Sequence, residues 1–281
     1  MVIEIEGYNV CGEDRTKIRA LFGLSDDEVK VKVEELKKWV QSNPHLPEES
    51  HDEAYLDIML LRSKFKDDYV KKNIENYFKY MSKYPEVFKK LGKFKPSEEV
   101  GVAMASPTLA PNFERIGILK LLQKNMSSRK FDINQMILVT VTTGIIMYNN
   151  DYTPSIRFLL DFEGFTMLDL FKVNLRDLFK LVSICENILR IRISGFELLN
   201  APRLMTALLG IGRVLLKPKM FSRITTHSDA STLLNNIPKE CLPSDYGGES
   251  ESTDTLVEIW DHIVEAQKPF FEKVANYSRK S

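Results

Sequence analysis

With 281 residues, 43% of them hydrophobic and 28% charged, the chain is long enough for a sizeable core and has the charge content of an ordinary globule. Its 39 basic residues balance 39 acidic ones, so it lacks the positive excess of a nucleic-acid binder. Three widely spaced cysteines, Cys11, Cys185 and Cys241, fit reduced cytosolic thiols better than a disulfide or zinc framework, and no run of 18 apolar residues offers a membrane span.

The opening MVIEIEGYNV has no basic stretch leading into an apolar one, so no signal peptide is expected. Residues 1–24 carry no clear period. Ser25 with Glu28 three residues on is a capping box, and Val29, Val33, Leu36 and Val40 then recur at helical spacing. Asn43-Pro44 and Leu46-Pro47 break that pattern. A second helix starts at about Asp52 and a third at about Asp67, the latter burying Val70, Ile74, Tyr77 and Met81 and stopping at Tyr84-Pro85. The stretch Gly92 to Pro111, with three prolines, reads as a connection.

Beyond it the pattern changes. Ile116 to Leu122 reads as a strand, Phe131 to Tyr148 as a helix capped by Asp132, and Ser155 to Phe162 as a strand buried on both faces. Leu168 to Leu189 is a predicted helix and Arg190 to Leu199 a predicted strand. Arg223 to Thr226 is a further strand, and Asp229 or Ser231 caps a short helix reaching Asn236. Ser252 or Thr253 starts a last amphipathic helix that Pro269 bends or ends. Alternating strands and helices predict a mostly parallel sheet.

Between the last two strands lies Asn200 to Ile224, NAPRLMTALLGIGRVLLKPKMFSRI. Pro202 suits the first turn of a helix. The apolar residues from Leu204 to Leu216 cover more than one stripe, so such a helix needs cover on both sides. Arg203 to Lys217 would span roughly 22 Å, short of the ~30 Å hydrocarbon core. The helix is therefore a deep core element, or a cover with protein on one side and an apolar guest on the other. Seven basic residues against Glu197 alone, from Arg190 to Arg223, suit a surface that meets anionic lipid.

Enzymatic readings are weak. Asp161 and Glu163 end a strand but have no nucleophile, metal cluster or phosphate loop beside them. His227, Asp229 and Ser222 can be drawn as a triad, yet no G-x-S-x-G elbow exists. Gly210-Ile211-Gly212 lacks the third glycine and the strand-to-helix setting of a dinucleotide fingerprint. No catalytic residue, metal site or cofactor is expected.

Four blocks, in order and in register, carry a resemblance. LPSDYGGE, Leu242 to Glu249, resembles the LPxEYGG signature of the CRAL-TRIO lipid-binding family; RFLLDFEG, Arg157 to Gly164, looks like its strand ending in D-x-E-G. SGFELLNAP, Ser194 to Pro202, is similar to its KGIHxINxP segment, and FSRITTHSD to its ERIHxHG strand. The helical first third, with Trp39, Pro44, Leu46-Pro47 and LLRSKF, looks like the family's amino-terminal helical domain. The resemblance spans roughly residues 25 to 277, nearest to the branch of α-tocopherol transfer protein and cellular retinaldehyde-binding protein.

The resemblance implies an α/β fold: an all-helical amino-terminal domain, residues 1–95, then residues 96–281 as a mostly parallel sheet flanked by helices, with an apolar pocket closed by a lid helix. It implies a carrier, not an enzyme: a cytosolic monomer that holds one small hydrophobic molecule, such as a retinoid, tocopherol, carotenoid or other terpenoid, and exchanges it at phosphoinositide-containing membranes by peripheral, transient contact. Pocket positions carry over to Ile156, Leu160, Met167, Val173, Leu181, Ile184, Leu189 and Ile191, with Met205, Leu208, Leu209, Ile211 and Leu215 closing the pocket from the lid. Two pocket serines of the tocopherol branch correspond to Ile137 and Val141, which removes hydroxyls suited to tocopherol itself. Thr140, Thr142, Thr143 and Ser183 are nearby polar candidates. Ile191 stands where the phosphatidylinositol-transfer branch has a glutamate, which disfavours that ligand. Arg192, Lys219 and Arg223 fall on the branch's phosphoinositide-binding basic positions, Ser194 on one that has lost its charge, and Arg190 compensates. A further basic position falls near Arg62 or Ser63. The alternative is a lipid-responsive scaffold or regulator without a bulk transfer role.

Overall fold

The computed structural model describes residues 8, 10–46, 48–126, 130–202 and 218–277. The helical first third contains α1 (Gly12–Ala20), α2 (Asp26–Gln41), α3 (Glu53–Arg62), α4 (Asp67–Met81) and the single turn α5 (Pro85–Phe88). The capping box holds: the Ser25 N–H donates to Glu28 Oε2 at 2.8 Å, and the Glu28 N–H donates back to Ser25 Oγ at 3.3 Å. Helix α1 is not foreseen from the sequence, because among its residues Ile18 alone is buried and one apolar position sets no period. Helix α3 is the unit's central rod, buried from Tyr55 through Leu61. Its one buried carboxylate, Asp57, accepts from Arg19 Nη2 at 2.5 Å and from the Tyr152 hydroxyl at 2.9 Å, joining α1, α3 and the approach to the sheet.

The sheet has the order β1 (Gly101–Ala105), β2 (Glu114–Leu121), β3 (Ser155–Asp161), β4 (Ile193–Leu199) and β5 (Ile224–His227). The strands β2 to β5 are parallel, and β1 adds antiparallel to β2. Strand β1 corrects the sequence reading of Gly92 to Pro111 as a plain connection. Its five residues, GVAMA, are all buried, so they show no alternation that would mark a strand. Between β2 and β3 lie the short α6 (Gln123–Met126) and the long α7 (Ile133–Asn150), the latter capped by Asp132, whose carboxylate accepts the Asn134 N–H at 2.9 Å.

The predicted single helix Leu168 to Leu189 is α8 (Met167–Lys172), α9 (Leu175–Ile184) and a π turn, Cys185–Leu189. The break falls at Asn174, whose side chain accepts the Asp177 N–H at 2.9 Å and starts a new helix. The π turn ends at Arg190 with φ 39°, so β4 begins at Ile193 and not at Arg190. Beyond the single turn α10 (Pro218–Phe221) and β5 come 3-10 turns, then α11 (Thr253–Ala266), opened by Ser252, and α12 (Lys268–Tyr277). Pro269 sits in the first turn of α12, where its missing N–H costs no hydrogen bond. In the LPSDYGGE turn a Cβ on Gly248 would sit 1.8 Å from the Leu242 carbonyl oxygen, so no larger residue fits that fold of the chain. No helix among the described residues is long and apolar enough to cross a membrane.

One continuous apolar cluster runs from Val29 and Leu56 through Ile116, Val141 and Leu159 to Trp260 and Val274, so helical unit and sheet share their packing. Two arginines make the polar joint. Arg115 on β2, 1% exposed, donates Nε and Nη2 to the two oxygens of Asp151 at 3.0 and 2.9 Å. Its remaining donors reach the carbonyls of Ser106, Pro107 and Tyr8. Arg62, at the end of α3, donates to the carbonyls of Met147, Asp151 and Thr153, capping the C-terminal end of α7, where a cation is favourable. Replacing Asp151→Asn leaves a buried guanidinium without its counter-charge. The expected loss is about 3–5 kcal/mol of unfolding free energy, measured by urea denaturation; a loss below about 1 kcal/mol removes the pair from its structural role.

Candidate functional site

Residues paired across a sheet point to the same side, and neighbours along a strand to opposite sides. The register therefore assigns two faces. One carries Ile116 and Ile118 of β2, Arg157, Leu159 and Asp161 of β3, Glu197 and Leu199 of β4, and His227 of β5. The other carries Gly117 and Leu119, Phe158 and Leu160, Phe196 and Leu198, and Ile224.

The first face is sealed. Arg157 bridges Glu114 (Nε to Oε1, 3.3 Å) and Glu197 (Nη1 to Oε1, 2.5 Å). Ser194 donates its hydroxyl to Glu114 at 2.7 Å, and His227 Nε2 and Asn236 Nδ2 lie 2.8 and 3.0 Å from Glu197 Oε2. Asp161 accepts from the Glu163 N–H, Asn200 Nδ2 and the Tyr246 hydroxyl at 3.0, 2.9 and 2.8 Å. Burial, with Asp161 beside it, holds the Tyr246 phenol well above its usual range. His227 pairs with Glu197 and Thr232, Ser222 donates to the Lys219 carbonyl, and Asp229 caps a 3-10 turn. Among the described residues no group of His, Cys, Asp and Glu is placed to hold a metal ion.

The second face is half-open. Leu119, Phe158, Leu160, Ile193, Phe196 and Ile224 all keep partial exposure, while Ile156 and Leu198 are buried. Helix α7 forms its wall over β1: Met136 lies where a Cβ on Gly101 would point, and Gly101 pairs with Leu121 of this face. Thr143 of α7 donates to the Ala103 carbonyl at 2.7 Å. On its other flank α7 meets the π turn, with Leu189 against Gly144.

The pocket residues expected from the sequence divide among these surroundings. Leu160 is half-buried on the open face, and Thr140 is half-buried on α7. Leu181 and Ile191 are partly buried against the main cluster, whereas Ile137, Val141, Ile184 and Leu189 are closed within it, and Ile156 is buried as well. Val173 packs in a separate small cluster with Phe131 and Phe165, and Met167 is exposed at the start of α8. Met205, Leu208, Leu209, Ile211 and Leu215 lie outside the described residues. Leu119, Phe158 and Phe196, partly exposed on the same face, were not among the expected pocket residues. The two-residue period from Ile156 to Leu160 is the signal that finds Phe158. Of the polar candidates, Thr142 and Thr143 donate to backbone carbonyls and Ser183 accepts from Tyr84 at 2.8 Å. Thr140 makes no hydrogen bond among the described residues.

The basic residues also divide. Arg192 and Lys219 are exposed, whereas Arg223 is half-buried with its guanidinium on the Ile193 carbonyl. Arg190 stands in the left-handed conformation beside Tyr148, whose phenol burial pushes up to about 12 against the opposing pull of Arg62 and Arg190. Ser194, the position without a charge, serves the sealed face. Of the two positions considered in the helical unit, Arg62 is engaged with carbonyls and Ser63 is buried, accepting from Asn73 at 2.8 Å. Lys64, exposed just beyond them, shares a small cleft with Arg192 and Pro154. Near α8 and α9 the large apolar side chains Leu168, Phe171 and Phe179 are exposed at 72, 77 and 52%.

The family described as the CRAL/TRIO domain matches residues 115–248, from the first arginine of β2 to the glycine that closes LPSDYGG. Residues 115–248 of the chain are therefore similar to a CRAL/TRIO domain. The alpha-tocopherol transfer protein-like proteins of Homo sapiens and Mus musculus are each 26% identical to it over 230 residues, 80% of this chain and 66% of theirs. The chain thus spans just under two thirds of the length of these relatives. The crystal structure of Sfh5 matches this chain with a TM-score of 0.53 at 13% identity, covering 87% of this chain and 98% of that one, a likeness of fold.

The wall beside the π turn has a chemical reporter. Burial pushes the Cys185 thiol up to about 12 and the Cys241 thiol up to about 11, whereas Cys11 is exposed. With a maleimide at about pH 7.5, Cys11 is expected to react first and the other two only on unfolding, because the thiolate is the nucleophile. Mass spectrometry of the labelled peptides checks this; labelling of Cys185 at the rate of Cys11 means that the wall opens in solution.

Proposed function

We propose that this protein is a carrier that binds one small lipophilic molecule over the half-open face of its sheet and exchanges it at anionic membrane surfaces. The observation that supports it is the contrast between the faces: charges closed off on one, partly exposed leucine and phenylalanine on the other. A central parallel sheet is ordinarily covered on both sides, so a half-open apolar face calls for a guest.

Topology favours the same side. Strands β2 to β5 succeed one another as parallel neighbours, and right-handed crossovers between them return over one face, the one that carries α7. In this reading the return from Leu199 to Ile224 covers the guest, and Met205, Leu208, Leu209, Ile211 and Leu215 supply the cover. Pockets for such ligands measure roughly 300–1,000 Å³. Burying ~400 Å² of apolar ligand surface contributes at most ~10 kcal/mol before association costs. Useful affinity then follows without covalent chemistry.

Membrane contact is supported by exposed Leu168 and Phe171 on α8, with Lys172 at the end of the same helix, and by the surface cations Arg192 and Lys219. Each such cation near an anionic surface is worth about 1 kcal/mol. Native mass spectrometry of the protein purified from its source is expected to show one stoichiometric apolar guest. Arg192→Gln with Lys219→Gln is expected to slow transfer of a bound fluorescent lipid to vesicles containing phosphoinositide by roughly thirtyfold, two charges each worth ~1 kcal/mol removed. Transfer to neutral vesicles should change little, and equal slowing on both vesicle types rejects the electrostatic step.

A further inference from the structure

We infer that the free edge of β5 pairs antiparallel with the same strand of a second copy, about a two-fold axis through Thr225. This goes beyond the carrier reading and departs from the monomer that the resemblance implies.

The two edges of the sheet differ. On β1 the Val100 carbonyl accepts the Leu122 N–H and the Ser106 N–H donates to the Ile116 carbonyl, both toward β2. The alternate residues Ala103 and Ala105 therefore turn their carbonyls away from β2. Thr143 donates to the first at 2.7 Å, and the Tyr8 hydroxyl and Trp260 Nε1 donate to the second at 2.6 and 3.3 Å. Side chains thus cap that edge.

On β5 the N–H groups of Phe196 and Asn200 donate to the carbonyls of Arg223 and His227 at 2.9 and 3.2 Å. Every second residue of a parallel strand faces its neighbour, so Arg223, Thr225 and His227 turn to β4 while the N–H and C=O of Ile224 and Thr226 turn outward. None of these outward groups has a partner among the described residues. Thr225 and Thr226 are exposed, and Ile224 is half-buried. Free edges are ordinarily blunted by lysine, proline or a bulge. Strand β5 reads ITTH and pairs with β4 without a register shift. The flanking basic side chains turn inward, Arg223 to the Ile193 carbonyl and His227 to Glu197.

The strand complements itself. With Thr225 on the axis, Ile224 stands opposite Thr226 of the partner subunit, and each such pair exchanges both of its backbone hydrogen bonds. All the outward groups of both copies are then satisfied. The two Thr225 side chains meet as the closer, non-hydrogen-bonded pair, a favourable combination for threonine. A bond pattern that closes on itself favours a second copy over an unrelated strand, and such isologous contacts are the commonest in homodimers. The 3-10 turn packed on β5, Ala230–Asn235, leaves Leu234 exposed at 42% and adds apolar surface beside the strand. So short a strand makes a small contact, and the dimer is expected to be weak and concentration-dependent. Antiparallel pairing keeps the faces, so the half-open faces of both copies lie on one side of a continuous sheet.

The test uses the full chain. Sedimentation velocity from about 10 μM to about 1 mM is expected to show a reversible monomer–dimer equilibrium. Thr226→Pro removes an outward donor and leaves the β4 ladder intact, and Thr225→Lys sets like charges opposite each other on the axis. Each is expected to weaken dimerisation at least about tenfold with an unchanged circular dichroism spectrum. Cysteine crosslinking, with the exposed Cys11 replaced by serine, reads the register. The Cα atoms of a non-hydrogen-bonded pair lie about 4.5 Å apart, so Thr225→Cys is expected to give a disulfide-linked dimer on mild oxidation. Thr226→Cys sets its Cα roughly 9 Å from its copy, beyond disulfide reach, and is expected to give little. A monomer at every concentration, without a crosslink in Thr225→Cys, overturns the inference and leaves the edge to an extended segment of another protein. Equal crosslinking by the two cysteine variants, or a dimer that Thr226→Pro and Thr225→Lys leave at full strength, overturns the pairing of β5. The carrier reading stands or falls separately, on the guest seen by native mass spectrometry.

Discussion

A guanidinium between two carboxylates holds the middle of the sheet. Glu114, Arg157 and Glu197 sit on adjacent strands β2, β3 and β4, and both carboxylates are buried, at 2 and 0% exposure. A buried charge lacking partners costs several kcal/mol, so each of these groups ties its strand to the next at one register. Slipping β3 by one residue would turn Arg157 to the other face and leave Glu114 and Glu197 facing each other. The same rule that binds the charges to one face clears them from the other. The apolar floor at Phe158, Leu160 and Phe196 is the counterpart of that closed network.

The helical unit bears on the site through α7. Arg62 from α3 and Arg115 from β2 converge on its C-terminal end, one on backbone carbonyls and one on Asp151. Tyr148, near that end, stacks on Tyr77 of α4 with centroids 5.1 Å apart. A helix fixed at one end by two cations and a ring stack keeps its length over β1, which is what makes Met136 and Thr140 a firm wall. The helical first third thus supports the site without contributing to its apolar floor. Its surface contribution is Lys64, which two successive left-handed residues, Lys64 and Phe65 at φ 54° and 55°, turn outward between α3 and α4.

The legible parts of the sequence were those with a local physical signature. Ser25, Asp52, Asp132 and Ser252 each accept a hydrogen bond from a backbone N–H of the first helical turn, and their side chains alone announce it. The dense apolar run of β3 was equally plain; the LPSDYGG segment was read through family likeness, and the structure adds that Gly248 there leaves no space for a Cβ. Strand β1 was not, since small residues buried on both sides carry neither period. The division of α8 from α9 could have been read from Asn174 and Asp177, a cap pair inside an apolar stretch that otherwise runs on. Leu160 was expected at the pocket through family likeness and Phe158 was not, although the two share one face by the same alternation. The strand register that joins Phe158 to Phe196 is a tertiary fact with no local trace.

The basic residues show why a count of charge does not predict an interface. Seven bases crowd the stretch from Arg190 to Arg223, yet the structure uses Arg223 to hold the Ile193 carbonyl and sets Arg190 beside a buried tyrosine. Arg62, the obvious cation of the helical unit, serves the end of α7. Arg192 and Lys219 project from the surface, and Arg192 meets Lys64 across the small cleft at Pro154. An exposed cation keeps its hydration and is attracted over a Debye length of roughly 8–10 Å. A cation already bonded to carbonyls adds to that field but does not reorient to grip a phosphate. Long-range attraction to an anionic surface therefore scales with the whole basic stretch, while any specific grip on a head group rests on the few that project. The two quantities separate experimentally through salt, which weakens the first far more than the second.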